Sequence, residues 1–359
     1  MRIELKKNSL GKDVHTLAQS RTPLFDKMIQ LPAVTVKGKG VNLANNEQLQ
    51  KWAKRKLVTM NMVRRLVDVA KEFGDTEFVE QCWDTYHCLG SVYMANGRMY
   101  SKYGYCKNRH CTLCCCIRKA ELINKYAPYL KKNWTQAYFV TLTVKAAYVD
   151  RLNHRIDEMY SVFNGIVAKY RRLNKKGKAI RLQGIRSFEC LFNPNKQWYH
   201  VHFHLVVPNK ETAEILKKEW MAYWGRAYAS PRAQDIRPVW NMEGALDEVI
   251  KYGSKIFTEP DEDKKLLGMV NPKIYGRAFY HIYKAMKGRR IFDRFGFNLP
   301  KSAKVYKTTL TTLTDFREWA FDPITADYIN EELDLPLIGY TMDPVLVYLL
   351  RNCIDILLE

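Results

Sequence analysis

Residues Trp198–Pro208 read WYHVHFHLVVP, and Trp198–Val207 reads as a β-strand. Strand side chains alternate between faces, so His200, His202 and His204 project from one side. Tyr199, Val201, Phe203 and Leu205 project from the other, where a core can take them. The whole chain holds eight histidines, so three within five residues is a strong local excess. Neutral imidazole is a common ligand for divalent metals, and two histidines with one carboxylate leave coordination positions open. Glu189, on the strand expected next to this one, is the nearest carboxylate in sequence. The plainer alternative is a polar, solvated strand face.

Working outward, Arg181–Phe192 reads as the preceding strand. It is joined through Asn193-Pro194-Asn195 into a β-hairpin with a somewhat long loop. QAYFVTLTVK, Gln136–Lys145, is rich in β-branched and aromatic residues and predicts a further strand. Helices are expected over Asn45–Phe73, Arg118–Leu130, Asp150–Arg172, Lys210–Tyr223, Met242–Ser254 and Pro272–Lys287. Asn241 is a candidate N-cap for the fifth of these. Lys304–Thr311 predicts another strand, and residues 1–43, with little periodicity, an extended arm. Gly90, Gly97 and Gly104 break the cysteine-rich stretch between into turns. The pattern predicts an α+β fold, an antiparallel sheet with flanking helices.

The chain has 359 residues, with 58 Lys+Arg against 37 Asp+Glu and a net charge of +21. A hydrophobic fraction of 47% excludes a wholly disordered basic protein. Such a charge favours a polyanionic partner, nucleic acid ahead of an anionic membrane. Residues 311–359 carry −8, so the first 310 carry +29. DPVLVYLLRNCIDILLE, at the acidic end, has an apolar stripe that suits a terminal core helix or a partner-docking element. MRIELKKNSLGKD lacks the apolar core of a signal peptide, and no apolar run is long enough to span a bilayer. The expected location is the cytoplasm, with no membrane partner. Nine cysteines, an odd number, suit a reducing compartment.

Tyr252 lies in DEVIKYGSK. A helix there sets Glu248 and Tyr252 at i and i+4, within reach of each other. Tyrosine can serve as a covalent nucleophile and glutamate as a general base. Lys251 and Lys255 make a second such pair that can meet phosphate. Two basic runs flank the expected sheet. One holds Arg171, Arg172, Lys175, Lys176, Lys178 and Arg181. The other holds Lys284, Lys287, Arg289, Arg290 and Arg294, interleaved with Tyr280, Tyr283 and Phe292. Cations among rings suit single-stranded or melted DNA.

Seven of the nine cysteines fall between Cys82 and Cys116. Cys106, Cys111 and Cys114 have C-x4-C-x2-C spacing, with Cys88 upstream. These four thiolates are the simplest tetrahedral set for a structural Zn²⁺. Cys82, His87, His110, Cys115 and Cys116 compete for the same role, and buried thiols are the alternative. Lys107, Arg109, Arg118 and Lys119 surround the cluster, so a zinc-stabilised loop could grip the DNA backbone.

Three of these motifs, in order, resemble the rolling-circle replication initiators of small bacterial plasmids, within the HUH endonucleases. FVTLTV (Phe139–Val144) is similar to that family's first strand motif. WYHVHFHLVV resembles its histidine motif, with His202-Phe203-His204 as the triplet. Glu248-Val249-Ile250-Lys251-Tyr252 resembles its single-tyrosine motif. CKNRHCTLCCCIRK is similar to its cysteine-rich segment, with Thr112 where the family carries proline. The resemblance covers about residues 88–255, roughly half the chain.

The resemblance implies an HUH-nuclease sheet with a zinc segment before it, and the helical readings on either side add helical N- and C-terminal extensions. The expected organisation is an arm and helix over 1–81, the zinc segment over 82–130 and the endonuclease core over 131–260. A basic helical region and acidic end follow over 261–359. Tyr252 would attack a phosphate of single-stranded or cruciform DNA at the plasmid's double-strand origin. A 5′-phosphotyrosine and a free 3′-OH would result. Mg²⁺ or Mn²⁺ would be held by His202 and His204 with His200 or Glu189 as third ligand. Glu248 would activate water or order the attacking group for termination. Host helicase and polymerase would be partners. Ile256 argues against a second tyrosine one turn on. A transposase with the same chemistry and a non-catalytic zinc-dependent DNA-binding regulator are the rival readings.

Overall fold

The computed structural model describes residues 47–95, 98–101, 104–250, 272–300 and 318–339. Its elements run α1 (Glu47–Glu72), α2 (Thr76–His87), β1 (Ser91–Ala95), β2 (Arg98–Ser101), α3 (Thr112–Asn133), β3 (Tyr138–Thr143) and α4 (Val149–Lys175). Then come β4 (Gly184–Asn193), β5 (Trp198–Val207), α5 (Lys210–Tyr228), β6 (Asp235–Pro238), α6 (Met242–Val249), α7 (Pro272–Met286) and β7 (Phe292–Phe295). The last are β8 (Glu318–Asp322), β9 (Asp327–Asn330) and β10 (Leu335–Pro336). The fold is α+β, built on antiparallel sheets, and the chain divides into two compact units.

The larger unit holds a five-stranded sheet in the order β6-β3-β5-β4-β7. The β4–β5 hairpin sets Phe188 opposite Phe203, Glu189 opposite His202 and Asn193 opposite Trp198. Alternation then splits the sheet. Val201, Phe203 and Leu205 are fully buried on one face. There Phe203 meets Phe163 of α4 and Trp220 of α5, at ring separations of 5.4 and 5.9 Å. On the histidine side, Tyr126 of α3 meets Phe292 of β7 at 5.2 Å, and α6 packs on β5 and α3. Asn241 caps α6 by accepting from the Glu243 and Gly244 amides. A second apolar cluster joins α1, α2 and α7 through Val63, Leu66, Phe78 and Phe279.

The smaller unit holds the other sheet, in the order β10-β9-β8-β1-β2. Tyr328, fully buried, donates its hydroxyl to the Leu89 carbonyl at 2.9 Å. The Asp327 carboxylate accepts from the Tyr328, Ile338 and Gly339 amides and closes the β9–β10 turn.

Several elements differ from the sequence reading. Residues 76–101, expected as glycine-broken turns, contain a helix and a hairpin. α3 begins at Thr112 rather than Arg118, because Cys111 caps it and accepts the Cys114 amide on its sulfur. A cysteine carries no cap signal in propensity terms. α5 continues to Tyr228 across a kink at Gly225, whose φ is 66°. β6 and β7, four residues each, are too short for alternation to declare them. The C-terminal extension, expected to be helical, contributes β8, β9 and β10. The arm over 1–43, the strand Lys304–Thr311 and the apolar stripe from Asp343 to Glu359 lie outside the described residues. Among those described, no helix is long and apolar enough to cross a membrane.

Gly296 closes β7 at φ 76°, and a Cβ built there would stand 1.9 Å from the Leu182 carbonyl oxygen. Gly288 has φ 77° but open space around it. In urea denaturation, Gly296→Ala should therefore cost more than about 2 kcal/mol and Gly288→Ala only about 1 kcal/mol. Equal losses would mean that the close approach to Leu182 does not matter.

Candidate metal centre

Glu189 from β4 and His202 and His204 from β5 converge on the histidine face of the larger sheet. Each offers one ligand atom, and the three atoms lie within 4.8 Å of one another. Both imidazole Nε2 atoms stand 2.8 Å from the same oxygen, Glu189 Oε2. The strand register makes this arrangement. His202 is directly across from Glu189, and His204 is two residues further along the same face. Glu189 and His202 are buried, while His204 is the more open of the three.

A buried carboxylate facing two imidazoles is costly unless charge is shared among them. A divalent cation fits this donor set, since two nitrogens and a carboxylate oxygen already point to one place and leave further positions open. His200 turns elsewhere. Its Nε2 stands 2.8 Å from the Thr143 hydroxyl. Burial, and then repulsion from His202, holds His200 below the usual histidine range, which favours a neutral ring.

Two residues that carried no sequence signal, Gln234 and Trp220, hold the end of β3 beside this face. Gln234 accepts from the Thr143 amide (2.8 Å) and donates to the Thr143 carbonyl (3.1 Å), continuing the ladder at the end of β3 with a side chain. Trp220 also donates to the Thr143 carbonyl, at 3.1 Å. The Thr141 hydroxyl lies 3.3 Å from His204 Nδ1, positioned to orient that ring. Gln234 comes from a segment 30 residues beyond His204, so no local pattern links it to the histidine strand.

Glu248 stands at the end of α6 beside the same face. Its carboxylate pairs with Arg237 at 2.7 Å. The Arg237 guanidinium lies 4.6 Å over the Phe139 ring, which in turn lies 5.4 Å from the His204 ring. Tyr252, Lys251 and Lys255 lie outside the described residues.

The basic residues divide by what they touch. Arg171, Arg172 and Lys175 are exposed near the end of α4. Arg290 is mostly exposed, 3.7 Å from Asp293. Arg289 grips the Asp157 carboxylate with Nε and Nη2, at 2.9 and 2.7 Å. Arg109 donates to the carbonyls of Met286 and Arg289, and so holds the turn after α7.

In the larger unit, Cys106, Cys111 and Cys114 gather at the start of α3, with the Cys106 and Cys114 sulfurs 3.6 Å apart. Thiolates on one tetrahedral zinc, with Zn–S of about 2.3 Å, stand roughly 3.8 Å apart, so the spacing fits that ion. Cys88 belongs to the smaller unit. Two competitors are engaged differently. His110 Nε2 lies 2.9 Å from the Thr85 hydroxyl, and burial lowers its pKa to about 4. The Cys115 thiol donates to the Arg109 carbonyl, and burial pushes it up to about 12.

A family model described as replication protein matches residues 98–318. A protein named "Protein rep" from Streptococcus pneumoniae serotype 2 is 27% identical over 252 residues, which cover 62% of this chain and 73% of that one. Another of that name, from Staphylococcus aureus, is 25% identical over 226 residues, covering 59% and 93%. A third, from Bacillus amyloliquefaciens, is 30% identical over 132 residues, covering 34% and 37%. No solved structure matches.

Two measurements probe the ligand sets. Glu189→Gln should weaken Mn²⁺ binding by more than about 10-fold in calorimetric titration, while His200→Ala should change it less. The reverse order would make His200 the third ligand. Cys114→Ser should lose the roughly one equivalent of zinc expected by mass spectrometry for a structural site. Retained zinc would exclude Cys114 from it.

Proposed function

The chain belongs to the replication-protein family, and from that premise we propose that it initiates rolling-circle replication of a plasmid by nicking origin DNA through a single tyrosine. The observation that carries this reading is the convergence of His202 and His204 on Glu189, on a sheet face flanked by Glu248. It is supported by the ordered motifs FVTLTV, HVHFHL and EVIKY, which resemble those of HUH initiators. Membership in a replication family also favours this reading over a transposase with the same chemistry.

In this mechanism the DNA strand lies across the histidine face. Tyr252 Oη attacks the scissile phosphorus, the P–O3′ bond breaks, and the proton moves to the leaving 3′ oxygen through solvent or a nearby base. The products are a 5′-phosphotyrosine and a 3′-OH that a polymerase can extend. A divalent cation, Mg²⁺ or Mn²⁺, bound by Glu189, His202 and His204, would polarise the phosphate and stabilise its developing charge. His200, tied to Thr143, keeps its strand end in register instead of ligating. Arg237 holds the Glu248 carboxylate beside the face. At termination Glu248 takes a proton from water, or from the attacking group, for the second cleavage.

The Cys-rich segment would be a structural zinc site, with Cys106, Cys111 and Cys114 among its thiolates. Segments 82–130 and 131–260 would then be the zinc segment and the nuclease core. Origin DNA, single-stranded or cruciform at the nick, is the substrate, held in part by Lys251, Lys255, Arg171, Arg172, Lys175 and Arg290. A host helicase would open the duplex ahead of the polymerase.

The test is a nicking assay on supercoiled plasmid carrying the cognate origin, with Mn²⁺ present. Wild-type protein should form a covalent adduct that migrates with the DNA in denaturing gels. Tyr252→Phe should reduce nicking at least about 10³-fold while origin binding persists. Adducts formed by Tyr252→Phe would move the nucleophile to another residue.

A further inference from the structure

The face of the sheet opposite the histidines carries a charged group that the nicking chemistry does not use. Arg186, on β4, is 4% exposed. It pairs across the ladder with Leu205, so its side chain leaves the sheet on the α4 side. Its guanidinium carbon lies 4.5 Å from the centre of the Phe163 ring and 4.8 Å from the centres of the Tyr160 and Phe203 rings. Among the described residues no carboxylate forms an ion pair with it, and Nη1 is buried without a hydrogen-bond partner. Ring faces attract a cation at such distances but accept no hydrogen bond in the plane of the guanidinium. They leave Nη1 without an acceptor, and the nearest balancing charge is the Asp293 carboxylate, directly across the β4–β7 ladder from Arg186.

Arg186 lines a cleft of about 310 Å³ between α4 and β7, with Phe163, Asn164, Arg171, Asp293 and Phe295 among the other residues around it. That is near the lower end of small-ligand pockets, roughly 300–1,000 Å³, and has room for one nucleotide. Arg171 is exposed at the mouth, one helical turn past Val167 and two past Asn164, so a second cation shares the cleft. The Asp293 carboxylate accepts from the Arg294 amide at 2.9 Å and lies 3.7 Å from Arg290. It adds negative charge to one rim, which disfavours a bare polyanion and can accept a bond from a sugar hydroxyl or base amine.

We propose that the cleft between α4 and β7 is a phosphoryl-binding site, in which the guanidinium groups of Arg186 and Arg171 hold the phosphate of a nucleotide. The nucleotide can be free or a unit of a DNA strand. A fork of guanidinium donors matches phosphate geometry, and a partly closed site makes such charge-assisted bonds strong. The site lies on the opposite face from Glu189, His202 and His204, so it does not depend on how those residues act.

The experiment is calorimetric titration of the full-length protein in phosphate-free buffer without added divalent cation, using inorganic phosphate and a deoxynucleoside monophosphate. Wild-type protein should bind both, the monophosphate more tightly. Arg171→Ala, at an exposed position that folding does not need, should weaken binding roughly 10-fold or more. Asp293→Asn should tighten inorganic phosphate, and Arg186→Met, which keeps an apolar chain against the three rings, should abolish the signal. If Arg186→Met fails to fold, the opposite shifts of the Arg171 and Asp293 variants still carry the test. Displacement of bound monophosphate by a single-stranded oligonucleotide identifies a DNA backbone phosphate as the source. Retention of the monophosphate identifies a free nucleotide. No binding by wild-type protein, or binding unchanged in the Arg171 and Asp293 variants, would overturn the proposal.

Discussion

Glu189 stands directly across from His202 in the β4–β5 ladder, and the reverse face of the same two strands holds that register. There Phe188 lies opposite Phe203 and Cys190 opposite Val201, all buried. A slip of one residue would turn the three histidines into the core and bring Phe203 to the polar face. The apolar pairs therefore set the geometry of the Glu189, His202 and His204 cluster without touching it. α4 and α5 close over Phe203 on one side, while α6 and α3 flank the other. The site owes its precision to packing that lies one sheet thickness away.

Much of this architecture was legible because period-2 and period-3.6 patterns are strong where one face is buried and the other is not. WYHVHFHLVV gave a strand with the bounds that β5 has, and Asn241 was recognisable as the cap of α6. The pattern failed where local chemistry is unusual or elements are short. Cys111 caps α3 through sulfur, which moves the helix start six residues upstream of the reading. α2 and the β1–β2 hairpin are short elements that flank the glycines and cysteines on which the reading of that stretch turned. β8, β9 and β10 lie in an acidic stretch that was expected to belong to a helical extension.

The candidate site shows the same division. The facing of His202 and His204 toward one side followed from alternation, and Glu189 was within reach as the nearest carboxylate. Alternation alone could not separate Glu189 from His200, because the first lies directly across from His202 and the second is its next neighbour on the same face. Thr143 decides where His200 goes, and Gln234 and Trp220 decide where Thr143 goes, from segments that sequence spacing does not relate. Net charge was informative about partner class and misleading about individual residues. Arg109 and Arg289 belong to basic clusters in sequence, yet their side chains hold carbonyls and a carboxylate within the fold.

Arg109 lies between Cys106 and Cys111 in the chain and fastens the turn that follows α7. That turn delivers Ile291, whose carbonyl accepts the Phe188 amide at 2.8 Å, and then β7, the outermost strand beside β4. The order of the cysteine cluster and the covering of the sheet's edge are thus mechanically linked. The covering of β4 therefore rests on side-chain bonds from a loop far away in the chain as well as on its own ladder. A bared strand edge recruits other chains.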